Sequence, residues 1–190
     1  INHAAADGTT ALVLATVFGH WLLAEALLDR GADASADGTG FTALHWVSGI
    51  WETALTTQAA GGTNGWDALA ARAPGKVELV QSLLAHGADP NAPLAKTPPS
   101  YGYGGFRRIA MAGATPFLVA ARAADREIMQ VLLAAGADPL VPTDDGTTPL
   151  IASAGYAYAI GTDTHSEEDA LAAATLAVER GADVNAANTV

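Results

Sequence analysis

Five histidines, a serine two residues before a glycine, a glycine-rich run and twenty acidic residues are the groups in this 190-residue chain that could do chemistry. His3, His20, His45, His86 and His165 form no i,i+4 pair and no His-Glu-x-x-His run, so the spacing that presents a metal site on one helix face is absent. Ile151-Ala152-Ser153-Ala154-Gly155 carries half of the pattern that exposes a nucleophilic serine on a sharp turn. It lacks the first glycine and the preceding strand, and Ser153 falls where a small packing residue is required. Gly102-Tyr103-Gly104-Gly105 has neither the Gly-Lys-Ser/Thr ending of a phosphate loop nor the spacing of a dinucleotide loop. The Asp-Gly pairs recur at turns and read as turn chemistry, not calcium ligands. There are no cysteines, which excludes disulfides and thiolate catalysis. No catalytic residue, metal ligand or cofactor is expected from these motifs.

Binding chemistry is more visible. Trp51, Trp66, Tyr101, Tyr103, Phe106, Tyr156 and Tyr158 lie in or beside stretches that interrupt an otherwise regular pattern, and Arg107 and Arg108 follow Phe106 directly. Aromatic rings on loops are common contact anchors. The competing reading is that each ring pins its own loop to the scaffold, since long loops need packing of their own. From Ala92 to Ala112 there are basic residues and no acidic one, a local reversal in a chain of net charge −11. Rings and cations together suit a nucleic acid, but the overall acidity opposes that partner, and a solvated or protein-contacting loop is the preferred reading.

The elements that position these groups are set by repetition. Thr115-Pro116 reads as a helix start, the hydroxyl capping free N–H groups and proline fitting the first helical position. Phe117, Ala120 and Ala121 follow at helical spacing. A second helix is predicted from about Arg126 to Ala135, with Ile128, Met129, Val131, Leu132 and Leu133 on its apolar face. Gly136 ends it in a left-handed conformation, and Asp138 favours the turn beyond. Thr10, Thr42 and Thr148 start similar units, and each leads to a Gly-Ala-Asp, at Gly31, Gly87 and Gly181. Thr10 to Gly31 and Thr115 to Gly136 both span 21 residues, whereas Thr42 to Gly87 spans 45 and Thr148 to Gly181 spans 33. Ser166 with Asp169 resembles a capping box that restarts a helix in the last unit.

A period near 33 residues with Thr-Ala-Leu-His at 42–45, Gly19-His20, Gly75-Lys76-Val77-Glu78-Leu79-Val80, Thr148-Pro149-Leu150 and four Gly-Ala-Asp turns resembles the ankyrin repeat family over nearly the whole chain. The resemblance implies an all-α solenoid of about four helix-turn-helix repeats with three insertions. The expected repeats cover about 7–35, 37–91 with insertion 51–74, 113–140 preceded by insertion 92–112, and 144–185 with insertion 156–168. It implies that first helices line a concave face, that fingers project from its edge, and that His45 is structural, its ring bonding backbone between adjacent repeats. The insertions after Ile50 and Gly155 would then emerge opposite the fingers, and the 90–114 loop on the finger side.

Half the residues are hydrophobic, with much alanine, which suits close helix stacking more than a bulky core. No apolar run is long enough to span a bilayer, so no membrane insertion is expected. The chain starts at Ile1 with no visible signal peptide, leaving cytoplasmic and secreted or periplasmic settings both allowed. Both ends cut through the repeat pattern, which reads as a piece of a longer array with further repeats or domains of the same chain. The long insertions resemble those of bacterial ankyrin proteins. The functional expectation is a scaffold for protein–protein interaction, presenting a concave surface and aromatic loop insertions to a protein partner of unknown identity. One alternative is a structural or assembly unit of a larger polypeptide. The other is an enzyme whose site the insertions build over the groove.

Overall fold

A computed structural model describes residues 1–50, 75–96, 111–155 and 166–189. Among the described residues the chain is all-α, with eight helices and one isolated antiparallel bridge between Ala4 and Thr10. It divides into two compact units, Ile1–Asp89 with Ala95–Gly102, and Pro90–Leu94 with Tyr103–Val190.

The first unit holds α1 (Ala11–Val17), α2 (Trp21–Leu28), α3 (Ala43–Ser48) and α4 (Lys76–Ala85). Helix α1 packs on α2 and α3, and α4 packs on both α2 and α3. The second unit holds α5 (Pro116–Arg122), α6 (Arg126–Ala134), α7 (Pro149–Ser153) and α8 (Glu167–Glu179). Helix α5 packs on α6 and α7, and α8 packs on α5, α6 and α7.

The short first helices owe their starts to threonine. The hydroxyls of Thr10, Thr42, Thr115 and Thr148 accept the N–H groups of Val13, His45, Leu118 and Ile151. Each cap satisfies a donor that a helix N-terminus otherwise leaves open, an effect worth about 1 kcal/mol. At Thr42 the cap is reciprocal. Nδ1 of fully buried His45 accepts the Thr42 N–H at 3.2 Å and lies 2.9 Å from its hydroxyl. Ser166 and Asp169 make the same reciprocal box at the start of α8. Pro116 and Pro149 occupy first helical positions, where the missing N–H costs nothing.

The second helices all stop alike. Gly31, Gly87, Gly136 and Gly181 have φ of 85°, 90°, 91° and 96°. Each glycine N–H bonds to the carbonyl three residues back, and the following alanine N–H to the carbonyl five back, as in Gly136 to Leu133 and Ala137 to Leu132. This closes the last helical turn and reverses the chain. In Gly19, which connects α1 to α2, φ is 71°; the matching position between α5 and α6 is Ala124 at 51°, a left-handed conformation that costs a residue with a Cβ about 1–2 kcal/mol.

The core is lined by Leu12, Val13, Leu28, Leu44, Leu79 and Leu83 in the first unit and by Phe117, Leu118, Ile128, Met129 and Leu132 in the second. Burying one such side chain contributes about 1.5–3 kcal/mol. Alanines 120, 121, 173 and 177, all essentially buried, keep the helices of the second unit close. Two buried hydroxyls are satisfied locally: Thr16 donates to the Leu12 carbonyl at 2.9 Å and Ser153 to the Leu150 carbonyl at 2.8 Å.

Successive turns are tied side chain to backbone. The Asn2 amide donates to the Gly31 carbonyl and accepts the Asp33 N–H. Ser35 donates to the Gly87 carbonyl. The Asn91 amide donates to the Gly136 carbonyl at 3.0 Å and accepts the Asp138 N–H at 2.7 Å. The next residue in this register is Leu140, half exposed and with no polar group for the Gly181 turn. Replacing Leu140→Asn should supply the missing clamp. At about 1 kcal/mol net for the added bonds, the thermal midpoint should rise by about 2–4 °C; a calorimetric scan showing no rise or a fall would mean that this turn lies out of reach.

Candidate functional site

All nine candidate contact residues, Trp51, Trp66, Tyr101, Tyr103, Phe106, Arg107, Arg108, Tyr156 and Tyr158, lie outside the described residues. What the structure places are the stems on which these three stretches stand. The first leaves α3 through Ser48 and Gly49, whose backbone is extended at φ −118° and ψ −177°, and returns at Gly75, left-handed at φ 95°. All six residues of α3 are buried, and Trp46 lies against Phe41 with ring centroids 5.7 Å apart. The third leaves α7 at Gly155, φ 87°, and returns at Ser166, the cap of α8. Because that cap sets the first turn, α8 already begins at Glu167, within the stretch expected to be inserted.

The second stem is bonded backbone to backbone. The Leu94 N–H donates to the Ala114 carbonyl at 2.9 Å, and the Gly113 N–H donates back to the Leu94 carbonyl at 2.8 Å. Leu94 and Met111 are both buried. Next along the Leu94 arm, the N–H groups of Ala95 and Lys96 both donate to the Gly40 carbonyl. The Gly113 backbone is left-handed at φ 81°, and a Cβ there would lie 2.5 Å from an Asp144 carboxylate oxygen. Gly136 has a similar φ, but a Cβ there would meet nothing within 4 Å. The structural residues Thr10, Thr42, His45, Thr115 and Thr148 cap helices as described above, and Gly31, Gly87, Gly136 and Gly181 close them.

The finger turn after α6 has its own electrostatics. The Thr143 hydroxyl and the Thr147 N–H both donate to Asp145 Oδ1, while the Thr143 N–H bonds across to the Thr147 carbonyl at 3.0 Å. Partial burial alone pushes the Asp145 carboxyl up, but the bonds from Thr143 and Thr147 outweigh it and hold the group below its usual value. At Asp7, the Thr9 N–H does the same. These are turn carboxylates with satisfied partners. Among the described residues, no three histidine, cysteine or acidic side chains converge in a way that could hold a metal ion, and no helix is long and apolar enough to cross a membrane.

The residues that reasoning from sequence passed over are the turn clamps, Asn2, Ser35 and Asn91. Their signal is a position: each of Ser35, Asn91 and Asn185 stands two residues after the aspartate of a Gly-Ala-Asp.

Two measurements test this frame. Gly136→Ala should cost about 1–2 kcal/mol from the left-handed backbone alone, and Gly113→Ala distinctly more, because the methyl also collides with Asp144; urea unfolding that ranks them equally would show that Asp144 moves aside freely. A carboxyl held low when folded stabilises the protein above its unfolded value of 3.8, and that stability is lost as pH falls through the folded value. Asp145→Asn should therefore be less stable than the parent at neutral pH, with the difference shrinking on acidification below 3.8; a pH-independent difference in melting temperature would remove the charge from the explanation.

The ankyrin repeat family model matches residues 39–93 and 112–144. No curated protein matches the chain. The matched stretches contain two of the four threonine caps, at Thr42 and Thr115, and two of the left-handed glycine turns, at Gly87 and Gly136, and the same cap and turn recur in register on either side of them. With its paired helices, capped starts and glycine-closed ends, this chain belongs to the ankyrin repeat family.

Proposed function

We propose that this chain is a non-enzymatic protein-binding module in which the ankyrin helix pairs act as a frame and the three interrupting stretches supply the specific contacts. Ankyrin repeats are in general protein–protein interaction modules, and such repeat arrays present extended surfaces instead of a closed reaction cavity. The observation that carries the reading is the stem at Leu94, Gly113 and Ala114. The frame closes there by its own backbone bonds, at the base of the interval between 96 and 111. That interval holds Tyr101, Tyr103, Phe106, Arg107 and Arg108 in an acidic protein, which suits a protein surface offering apolar pockets beside carboxylates. Trp51, Trp66, Tyr156 and Tyr158 are proposed as further contacts on the other two stretches. The absence of nucleophile, phosphate-loop and metal-ligand motifs from the sequence supports a binding role over catalysis.

The test is to compare the proteins captured by the immobilised chain with those captured by the Tyr101→Ala, Tyr103→Ala, Arg107→Ala triple variant. The specific partner should bind the variant at least tenfold more weakly, with the helical circular dichroism unchanged. Equal affinity would remove these three residues from the binding surface.

A further inference from the structure

Three Asp-Gly pairs stand in this chain, Asp7-Gly8, Asp37-Gly38 and Asp145-Gly146. Each is a place where an aspartate can close a ring on the backbone, because a glycine puts no Cβ in the way of its own nitrogen. The structure treats the three differently. At the first and third, the glycine N–H closes the turn: Gly8 donates to the Ala5 carbonyl and Gly146 to the Thr143 carbonyl, both at 2.9 Å. Their carboxylates are engaged as well, by the Thr9 N–H at Asp7 and by the Thr143 hydroxyl and Thr147 N–H at Asp145. At the second pair the aspartate opens the turn, its carbonyl accepting the Gly40 N–H at 2.6 Å. The Gly38 nitrogen then lies inside the turn and closes nothing. Among the described residues no donor meets the Asp37 carboxylate and no acceptor meets the Gly38 N–H, and both residues are exposed.

This turn is packed on both sides. The Gly8 backbone lies against it so closely that a Cβ on Gly8 would sit 2.2 Å from the Gly38 carbonyl carbon. On the other side the Gly40 carbonyl accepts the N–H groups of Ala95 and Lys96, and a Cβ on Gly40 would lie 2.8 Å from the Lys96 Cβ. The arrangement fits a main chain of one length only.

We propose that Asp37 is a site of spontaneous aspartyl isomerisation, and that the isomerised turn lets go of the Ala95–Lys96 arm of the second stem. The Gly38 nitrogen attacks Cγ of the neutral Asp37 carboxyl. The N–Cγ bond forms, the nitrogen gives up its proton, and one carboxyl oxygen leaves as water, closing a five-membered succinimide. Solvent water then opens the ring. Addition at Cγ restores the aspartate. Addition at the former main-chain carbonyl carbon leaves the chain running through Cβ and Cγ, with that carbon now a free carboxylate. One water is lost and one gained, so mass is unchanged. The main chain is one atom longer, and the acceptor of the Gly40 N–H has left it. Asp7 and Asp145 resist the first step because donors keep their carboxyls ionised: at Asp7 the Thr9 N–H holds the group below its usual value, and at Asp145 partial burial pushes it up but the Thr143 and Thr147 bonds outweigh that. The modification is a property of this turn and does not depend on the binding role proposed above.

Ageing the whole chain in neutral buffer for weeks tests the proposal. Cleavage after Glu25 and Glu52 then releases residues 26–52, which separates Asp37 from Asn64-Gly65. A second form of this peptide, equal in mass, should accumulate, and electron-transfer fragmentation should place the isomer at Asp37. It should build up at least tenfold faster there than at Asp7 or Asp145. In the urea-unfolded chain the three rates should come together. In folded molecules carrying the isomer, the amides of Ala95 and Lys96 should exchange hydrogen at least tenfold faster than in equally aged Asp37→Glu, whose longer side chain would have to close a six-membered ring. Equal rates at the three pairs in the folded chain, the same order of rates in urea, or unchanged exchange at Ala95 and Lys96 would each overturn the proposal.

Discussion

A helix that ends on a left-handed glycine, with the turn beyond it clamped by a side chain from the repeat before, is the constraint on which the rest of this structure depends. The glycine fixes where the second helix stops, and hence which of its residues stand seven or eight places before the turn. That count decides which side chains face each neighbour. Gly31, Gly87, Gly136 and Gly181 hold φ between 85° and 96°, so the count is the same in every repeat. A shift of one residue would rotate the helix by about 100° and expose Ile128 and Leu132, or their counterparts. The clamps at Asn2, Ser35 and Asn91 add register along the array, since each bonds a backbone group at least 29 residues away.

This local closure explains how the chain tolerates long interruptions. The entropy of closing a loop grows only slowly with its length, by about 0.6 kcal/mol for each doubling. A repeat therefore bears extra residues if the frame on either side resets itself. Here the resets are specific: Gly75 re-enters α4 from a left-handed backbone, the Ser166–Asp169 box restarts α8, and the Leu94–Gly113–Ala114 bridge closes the base of the interval between 96 and 111. In each case a backbone conformation or a cap does what the missing regular connection would have done.

Much of the frame was legible in the sequence because its devices are local. A threonine three residues before the donor it caps, and a glycine that ends an apolar run, are read within one window. The α5–α6 pair and the α8 start are visible in this way. The clamps are less legible because their partners lie 29 to 52 residues away, and nothing near Ser35 announces the Gly87 carbonyl. Ala124 hides another feature, a left-handed residue where Gly19 makes the same turn in the first repeat; alanine gives no hint of a positive φ. The candidate contact stretches stand out by composition and by surplus length alone. Aromatics, glycines and paired prolines fix no period, so neither helix nor strand spacing places Tyr101 against Arg107 or Trp51 against Trp66.

The repeats also differ in how strongly the frame holds them. In a linear array each unit is stabilised by its own helices and by the interfaces with its neighbours. The second and third repeats place Leu79 and Leu83, and Ile128 and Leu132, in the buried register. The fourth places Ala173 and Ala177 there, which approach closely but remove much less apolar surface from water. Its turn also lacks the clamp, because Leu140 stands where the Gly136 turn is met by Asn91. Two independent deficits thus fall on one repeat, and both lie on the side of α8 that faces α6.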